Sequence, residues 1–473
     1  MTRQIFANIA AAGLFLSLLG TAADKDKALP KDLPPYGSLK PFVPPPVGEV
    51  KLENGLTIWF APVAGFPKVS FTLAVRGGYA ADPKERPGIA KLLASTITQG
   101  TATRSARLLA EELQACGGDL DASARADSIT LQTSVLAEKA DTALALLADV
   151  ALNAALAEKE VQSTKQREAS ELDSQEAEPR FLGRRALYRA IFGDHPYSVI
   201  SPTKKSIEES TAADLEREYA RRFRPDQAIL VVVGDFDSKK LEALARKDFD
   251  HWKKPASDSD VSVPPPAVSV TKTIAYVPRA KSVQTEFYIG GMAPKMDDKD
   301  YQAATVANAI FGGMFGSRLI LNIREDKGYT YSPYSYVAGY QKTGLLITSA
   351  AVRNDVTGAS FNEITYELDR MGTTSPTEEE LQRAKRFLIG SLAVELQSQG
   401  DLAQTLSRYW IDSLSPADLA QEGEKLQQVS SNDVRDAGRK YFPMWRMTTV
   451  AVGEEAVIKD ELSPFGMEFK KVK

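Results

Sequence analysis

The sequence predicts an α+β protein made of two homologous domains, each a largely antiparallel sheet with helices packed on one face. Three observations point there. First, Ser, Asp and Val alternate between Lys253 and Ala267, ahead of Pro264-Pro265-Pro266, a composition that favours an extended connector. Second, the segments on either side begin alike. Val69, Phe71, Leu73 and Val75 alternate as a half-buried strand should, a turn follows at Asp82-Pro83, and Ile89 to Ile97 has helical spacing. In the later segment a strand through Phe287 and Ile289 is followed by a turn at Asp297-Asp298 and a helical run from Tyr301 to Phe311. Third, the segments end alike. Thr211 opens a charged helix closing near Arg222-Phe223, followed by a strand from Ile229 to Val233 and Gly234; Ser430 opens another closing near Tyr441-Phe442, followed by Thr448 to Val452 and Gly453. Both openings carry N-cap residues, and a repeat of this length reads as a duplicated domain.

Taken in order, the chain opens with Arg3, an apolar run from Ile5 to Leu19 and the small residues Thr21-Ala22-Ala23. That pattern predicts a secretory signal peptide over residues 1–23 and hence export, to a periplasm or beyond the cell. The rival reading is an uncleaved membrane anchor, for which the run is short against about 20 apolar residues and contains Asn8; no membrane span is expected after cleavage. No cysteine follows it to carry a lipid anchor. Residues 24–46 hold Pro30, Pro34, Pro35, Pro41, Pro44, Pro45 and Pro46, the composition of an extended tether. The first domain is placed at 47–255, a linker at 256–267 and the second domain at 268–473.

Composition narrows the function classes. With 43% hydrophobic and 25% charged residues among 473, the chain suits a soluble multi-domain protein. Its net charge of -4 offers no basic surface for nucleic acid. Cys116 is the only cysteine, which rules out an internal disulfide and reads as a buried thiol.

Reactive constellations are scarce. His195, His251 and Cys116 are the whole supply of soft metal ligands, and no two histidines lie one helical turn apart. His195 sits in the turn Gly193-Asp194-His195-Pro196-Tyr197 and His251 beside Trp252, both structural contexts. There is no G-x-S-x-G elbow. The run Glu378-Glu379-Glu380 reads as a solvated helix start after Pro376. The glycines of Phe311-Gly312-Gly313-Met314-Phe315-Gly316-Ser317-Arg318 lack a following Gly-Lys-Ser/Thr and come after a helix, so they predict a turn with close backbone approach and not a phosphate loop.

Two sets of residues resemble the pitrilysin/insulinase-type zinc peptidases, the short processing-peptidase-like members in particular, and the likeness covers nearly all of residues 47–473. In that family the first half carries H-x-x-E-H, followed shortly by G-T. This chain reads Gly88-Ile89-Ala90-Lys91-Leu92-Leu93-Ala94-Ser95 and then Gly100-Thr101. Lys91 and Ser95 stand where the two zinc histidines would be, Ala94 where the catalytic glutamate would be, and Glu171 where a later glutamate ligand would be. The resemblance therefore implies a degenerate motif, with no metal and no cofactor held by this chain. The family's second signature is an Arg and a Tyr seven residues apart, after a glycine-rich segment and S-R-L. Here Ser317-Arg318-Leu319 leads to Arg324 and Tyr331.

By resemblance, Arg324 would bind a substrate carbonyl and Tyr331 would help hold an oxyanion, with Gly312, Gly313 and Gly316 close to the substrate. The two halves would form a clamshell. The expected role is the non-catalytic, substrate-binding subunit of an exported heterodimeric peptidase, its partner a homologous subunit bearing the zinc and its substrates peptides. The segments Tyr329 to Ala338 and Thr343 to Val352 would offer either a sheet edge for an extended peptide or a fully paired hairpin. An inactive scaffold and a stand-alone peptide-binding protein of the same fold are the alternatives.

Overall fold

The computed structural model describes residues 43–257, 260–267 and 273–472. The expected signal segment and most of the expected tether lie outside these residues. The first half contributes β1 (Gly48–Lys51), β2 (Thr57–Pro62), β3 (Lys68–Arg76), β4 (Asp121–Ala124), β5 (Ser128–Leu136) and β6 (Ala228–Gly234). From the second half come β7 (Thr273–Pro278), β8 (Gln284–Ala293), β9 (Tyr334–Tyr340), β10 (Thr343–Arg353), β11 (Thr448–Gly453) and β12 (Glu468–Lys471).

The sheets are ordered β1-β2-β6-β3-β5-β4 and β12-β7-β11-β8-β10-β9. Five strands correspond one for one, since β2-β6-β3-β5-β4 and β7-β11-β8-β10-β9 follow the same path through the same crossovers. The duplication read from the sequence is thus a duplication of topology. Only the outermost strand differs: β1 precedes β2 and pairs antiparallel with it, whereas β12 closes the chain and runs parallel to β7. Each sheet is mainly antiparallel, with a parallel pair where β6 joins β2 and where β11 joins β7.

Local sequence accounts for most element ends. Thr211 and Ser430 each form a capping box with the aspartate three residues on, starting the helices Ala212–Arg222 and Ser431–Tyr441. The helix Tyr301–Asn308 passes into a wider π-helical turn over Ala309–Gly313.

The expected half-buried β3 is corrected by the structure, because every residue from Val69 to Val75 is buried. A helix of the opposite half covers its second face. Gln399–Ile411 lays Leu402, Ala403, Leu406 and Tyr409 against Trp59, Ala61, Ala74, Ile229, Val231 and Val233. Reciprocally, Pro179–Phe192 of the first half packs Leu187, Tyr188 and Ile191 on Tyr288, Val450 and Val452. Contact there is close enough that a Cβ on Gly183 would stand 2.2 Å from the Tyr288 ring. This exchange of helices makes Pro41–Lys473 one compact unit.

Polar contacts reinforce the junction. Tyr197 donates to Asp127 at 2.8 Å, Asp127 also accepts from the Gln341 amide at 3.0 Å, and the Tyr340 and Tyr188 hydroxyls meet at 2.6 Å. His195 is part of this framework: its ring bonds the Pro264 carbonyl at 2.8 Å through Nε2 and the Tyr197 amide at 3.2 Å through Nδ1. Cys116 is a buried free thiol. Among the described residues, no helix is long and apolar enough to cross a membrane.

Candidate functional site

The helix Ile89–Ile97 holds the three degenerate motif positions. Its first turn is capped from a distance. Asp82 accepts from the Gly88 amide at 2.6 Å and the Ala90 amide at 3.2 Å, supplying acceptors that Gly88 cannot. Gly88 sits at φ +86°, and a Cβ there would lie 2.2 Å from Pro202 Cα, so both backbone and space demand glycine. Asp82 is in turn bound by Arg222 at 2.8 Å. The Arg222 side chain is 0% exposed and also donates to Glu218 and to the Gly77 and Gly78 carbonyls. Burial still pushes the Asp82 carboxyl up, to about 6, against the pull of Arg222.

Lys91 and Ser95 face the helix Glu158–Ala177. Ser95 Oγ donates to Glu168 Oε1 at 2.6 Å, and Lys91 Nζ lies 3.8 Å from the same oxygen and 4.0 Å from Glu171 Oε2. Glu168 is buried at 5% exposure, whereas Glu171 is half exposed and also accepts from Gln175. Glu168 is thus the carboxylate this site is built around, and the sequence reading passed over it. Both acids were visible in Glu168-Ala169-Ser170-Glu171-Leu172; which one turns inward depends on how two helices pack.

These residues do not fit a zinc ion. An ammonium has no lone pair to give and its charge repels a cation, Ala94 offers only a methyl group, and a serine hydroxyl is a poor zinc donor. Lys91 already places a positive charge beside the two carboxylates. Among the described residues no group of three or more His, Cys, Asp or Glu could hold a metal ion.

The second set lies between Gly312 and Tyr336. Gly312 is buried, and a Cβ on it would stand 2.9 Å from Ser335 Cβ of β9; one on Gly313 would stand 2.7 Å from Asn308 Nδ2. Asn308 binds Ser335 through 2.6 and 3.1 Å hydrogen bonds. Gly312 and Gly313 therefore let a helix end touch a strand. At Gly316 the nearest neighbour of a Cβ is Arg383 Nη1, at 3.2 Å. Arg318 is an anchor: buried, it grips Glu380 through two bonds of 2.7 and 2.9 Å, and chiefly by that hydrogen bonding lowers the Glu380 carboxyl to about 2. Glu380 is therefore no solvated charge but the joint of a capping box and an ion pair.

The π-helical turn Ile320–Asp326 carries Arg324, and the chain reverses at Gly328, φ +63°. Thr330 then ties the segment to β10 by donating to the Ala351 carbonyl at 2.6 Å. This reversal brings Tyr331 back beside Arg324. The guanidinium lies 5.2 Å from the Tyr331 ring centroid and 4.8 Å from that of Phe315. Both rings face solvent, Tyr331 at 83% and Phe315 at 68% exposure. Phe315 was missed as a site residue; its only signal was a large apolar side chain inside a glycine-rich turn.

The structure thus brings Arg324 to Tyr331, and Lys91 to Ser95, Glu168 and Glu171. No hydrogen bond, ion pair or ring contact among the described residues joins the two sets.

Comparison with known proteins follows the same division. Residues 64–202 match the profile of insulinase, peptidase family M16, and residues 210–388 that of the peptidase M16 inactive domain. An uncharacterized zinc protease of Rickettsia felis is 24% identical over 85% of this chain and 96% of its own. One of Bacillus subtilis is 25% identical over 73% and 83%. In three dimensions the chain is similar to a peptidase M16 inactive domain from Pseudomonas fluorescens, with TM-score 0.80 and 25% identity over 86% of this chain and 98% of that one. A protease from Helicobacter pylori shares the fold, with TM-score 0.81 and 20% identity over 87% of this chain and 100% of that one.

Proposed function

The chain belongs to the insulinase-type M16 peptidase family, and from that premise we propose that it is a non-catalytic, substrate-binding subunit that completes the active site of a homologous zinc-bearing partner. The observation that carries this reading is the asymmetry of its two sites. The position that would hold zinc is occupied by Lys91 and Ser95, bound to Glu168. The Arg324–Tyr331 pair is preformed and open to solvent. A guanidinium and a phenol can donate to a carbonyl and to the oxyanion that forms from it. In this chain they have no metal-bound water to work beside.

Peptides are the proposed substrates. The curated relatives are named zinc proteases, and β9 ends its sheet with an unpaired edge where an extended chain can add main-chain hydrogen bonds. Export rests on the N-terminal pattern of Arg3 and the apolar run to Leu19.

The test is to purify the chain alone and with a homologue bearing H-x-x-E-H, then measure zinc content and peptide cleavage. The pair should cleave and this chain alone should not. Arg324→Ala or Tyr331→Phe should lower the pair's turnover on the order of 100-fold while its zinc content holds. Zinc-dependent hydrolysis by this chain alone sinks the reading; unchanged turnover in both variants assigns the pair to structure.

A further inference from the structure

A cavity of about 490 Å³ lies where the two halves meet. Three arginines reach it from three different elements: Arg125 from the turn joining β4 and β5, Arg184 from the helix Pro179–Phe192, and Arg408 from the helix Gln399–Ile411. All three are exposed, and none makes a side-chain hydrogen bond or an ion pair among the described residues. Three arginines buried elsewhere in the chain are held differently. Arg222, Arg224 and Arg318 are each locked to a carboxylate.

The cavity's own acids do not neutralise the arginines directly. Asp127 is engaged by the Tyr197 hydroxyl and the Gln341 amide, and Glu395 accepts from Thr405. Burial, and then the nearby Asp127 charge, push the Asp412 carboxyl up to about 7. Partial desolvation inside the cavity, and then the Arg408 charge, push the Arg125 guanidinium below its ordinary value, although the residue as a whole is exposed. Two guanidinium groups held near one another repel, and an oxyanion between them removes that repulsion through charge-assisted, bidentate hydrogen bonds.

The wall indicates what carries the oxyanion. Val337, Ala338, Gly339 and Tyr340 line the same cavity and belong to the edge strand β9, whose backbone can bond an extended chain. From this convergence we infer that the cavity between the halves captures the C-terminal carboxylate of a peptide, held by Arg125, Arg184 and Arg408. The inference deepens the peptide-binding part of the proposed function, yet depends neither on Arg324 and Tyr331 nor on a partner, so it is tested on this chain alone.

The experiment is calorimetric titration of the purified chain with decapeptides of uncharged side chains, each prepared as the free acid and as the C-terminal amide, with inorganic phosphate as a third arm. The acid should bind at least ten times more tightly than its amide. Arg125→Ala and Arg408→Ala should each erase that difference, whereas Arg125→Lys should keep part of it. Circular dichroism and a thermal melt establish that these variants fold. Equal binding of acid and amide overturns the inference while leaving peptide binding at the β9 edge in place. No peptide binding also overturns it, and phosphate bound without any acid preference reassigns the arginines to a free anion. In none of these three cases does the Arg324 and Tyr331 test in the complex change its meaning.

Discussion

The two halves treat their functional positions in opposite ways. In the first, Lys91 and Ser95 are turned onto Glu168, and the helix carrying them is held by Asp82 and the buried Arg222. Every charge there has a partner inside the chain. In the second, Arg324 is flanked by two exposed rings, with Glu325 as its ion-pair partner among the described residues, at 3.4 Å. A charge balanced internally stabilises a fold, whereas one displayed between exposed aromatics is available to an outside ligand. The same plan, duplicated, is closed on itself at these positions in one half and open to solvent in the other.

The largest effect expected concerns metal. Lys91→His with Ser95→His removes the ammonium and sets two imidazoles one turn apart, where both present side chains already reach the Glu168 region. Metal analysis after gel filtration should find this variant carrying close to one zinc per chain. Peptide hydrolysis by it alone should stay absent, because Ala94 is no base. A metal-free double variant would mean that this half is closed to zinc by its backbone and not by its side chains.

Next in size is the framework itself. Arg222→Ala leaves Asp82 buried without its cation, Glu218 keeping its pair with Arg221 at 2.6 Å, and should cost about 3–5 kcal/mol, measured by urea unfolding at neutral pH. The deficit should depend on pH with a definite sign. Burial raises the Asp82 carboxyl to about 6, so its protonated form favours the fold below the ordinary aspartate range, and that contribution is lost as pH rises through about 6. Without Arg222 the folded-state value climbs further, so the variant should lose most relative to the parent above pH 6 and least near pH 4. A deficit independent of pH would show that Asp82 does not carry it.

The smallest effect belongs to the exposed set. Phe315→Ala removes one of the two rings on Arg324, a cation–π contact of about 0.5–1 kcal/mol at an exposed site. It should lower the turnover of the partner complex a few-fold and leave the unfolding midpoint of this chain in place. A fall in stability with no change in turnover would make Phe315 a packing residue and weaken the contrast between the halves.

Much of this architecture could be read along the chain. The capping boxes at Thr211 and Ser430, the helix Ile89–Ile97 and the strands β6 and β11 follow from residue spacing within a few positions of each element, because caps and periodicity act over one or two helical turns. The Arg324–Tyr331 pair was legible only through the family resemblance, and the structure closes the seven residues between them by one reversal at Gly328. Long-range packing was not. Glu168 and Glu171 look equivalent until two helices meet, and Phe315 is an ordinary apolar residue until the turn sets it against Arg324. The alternation in β3 spoke of one buried face; a helix more than 300 residues further along buries the other.

The sequence by itself determined that a domain plan is repeated, since caps and periodicity are local, and its resemblance to the peptidase family placed Lys91, Ala94 and Ser95 at the zinc-motif positions and Arg324 and Tyr331 at those of an Arg/Tyr pair. Tertiary structure alone decided that the halves exchange covering helices, that a lysine's charge stands beside the two carboxylates, and that three arginines converge on one cavity. Those facts depend on which distant surfaces come to lie together, and that is settled by the burial of apolar faces over the whole chain.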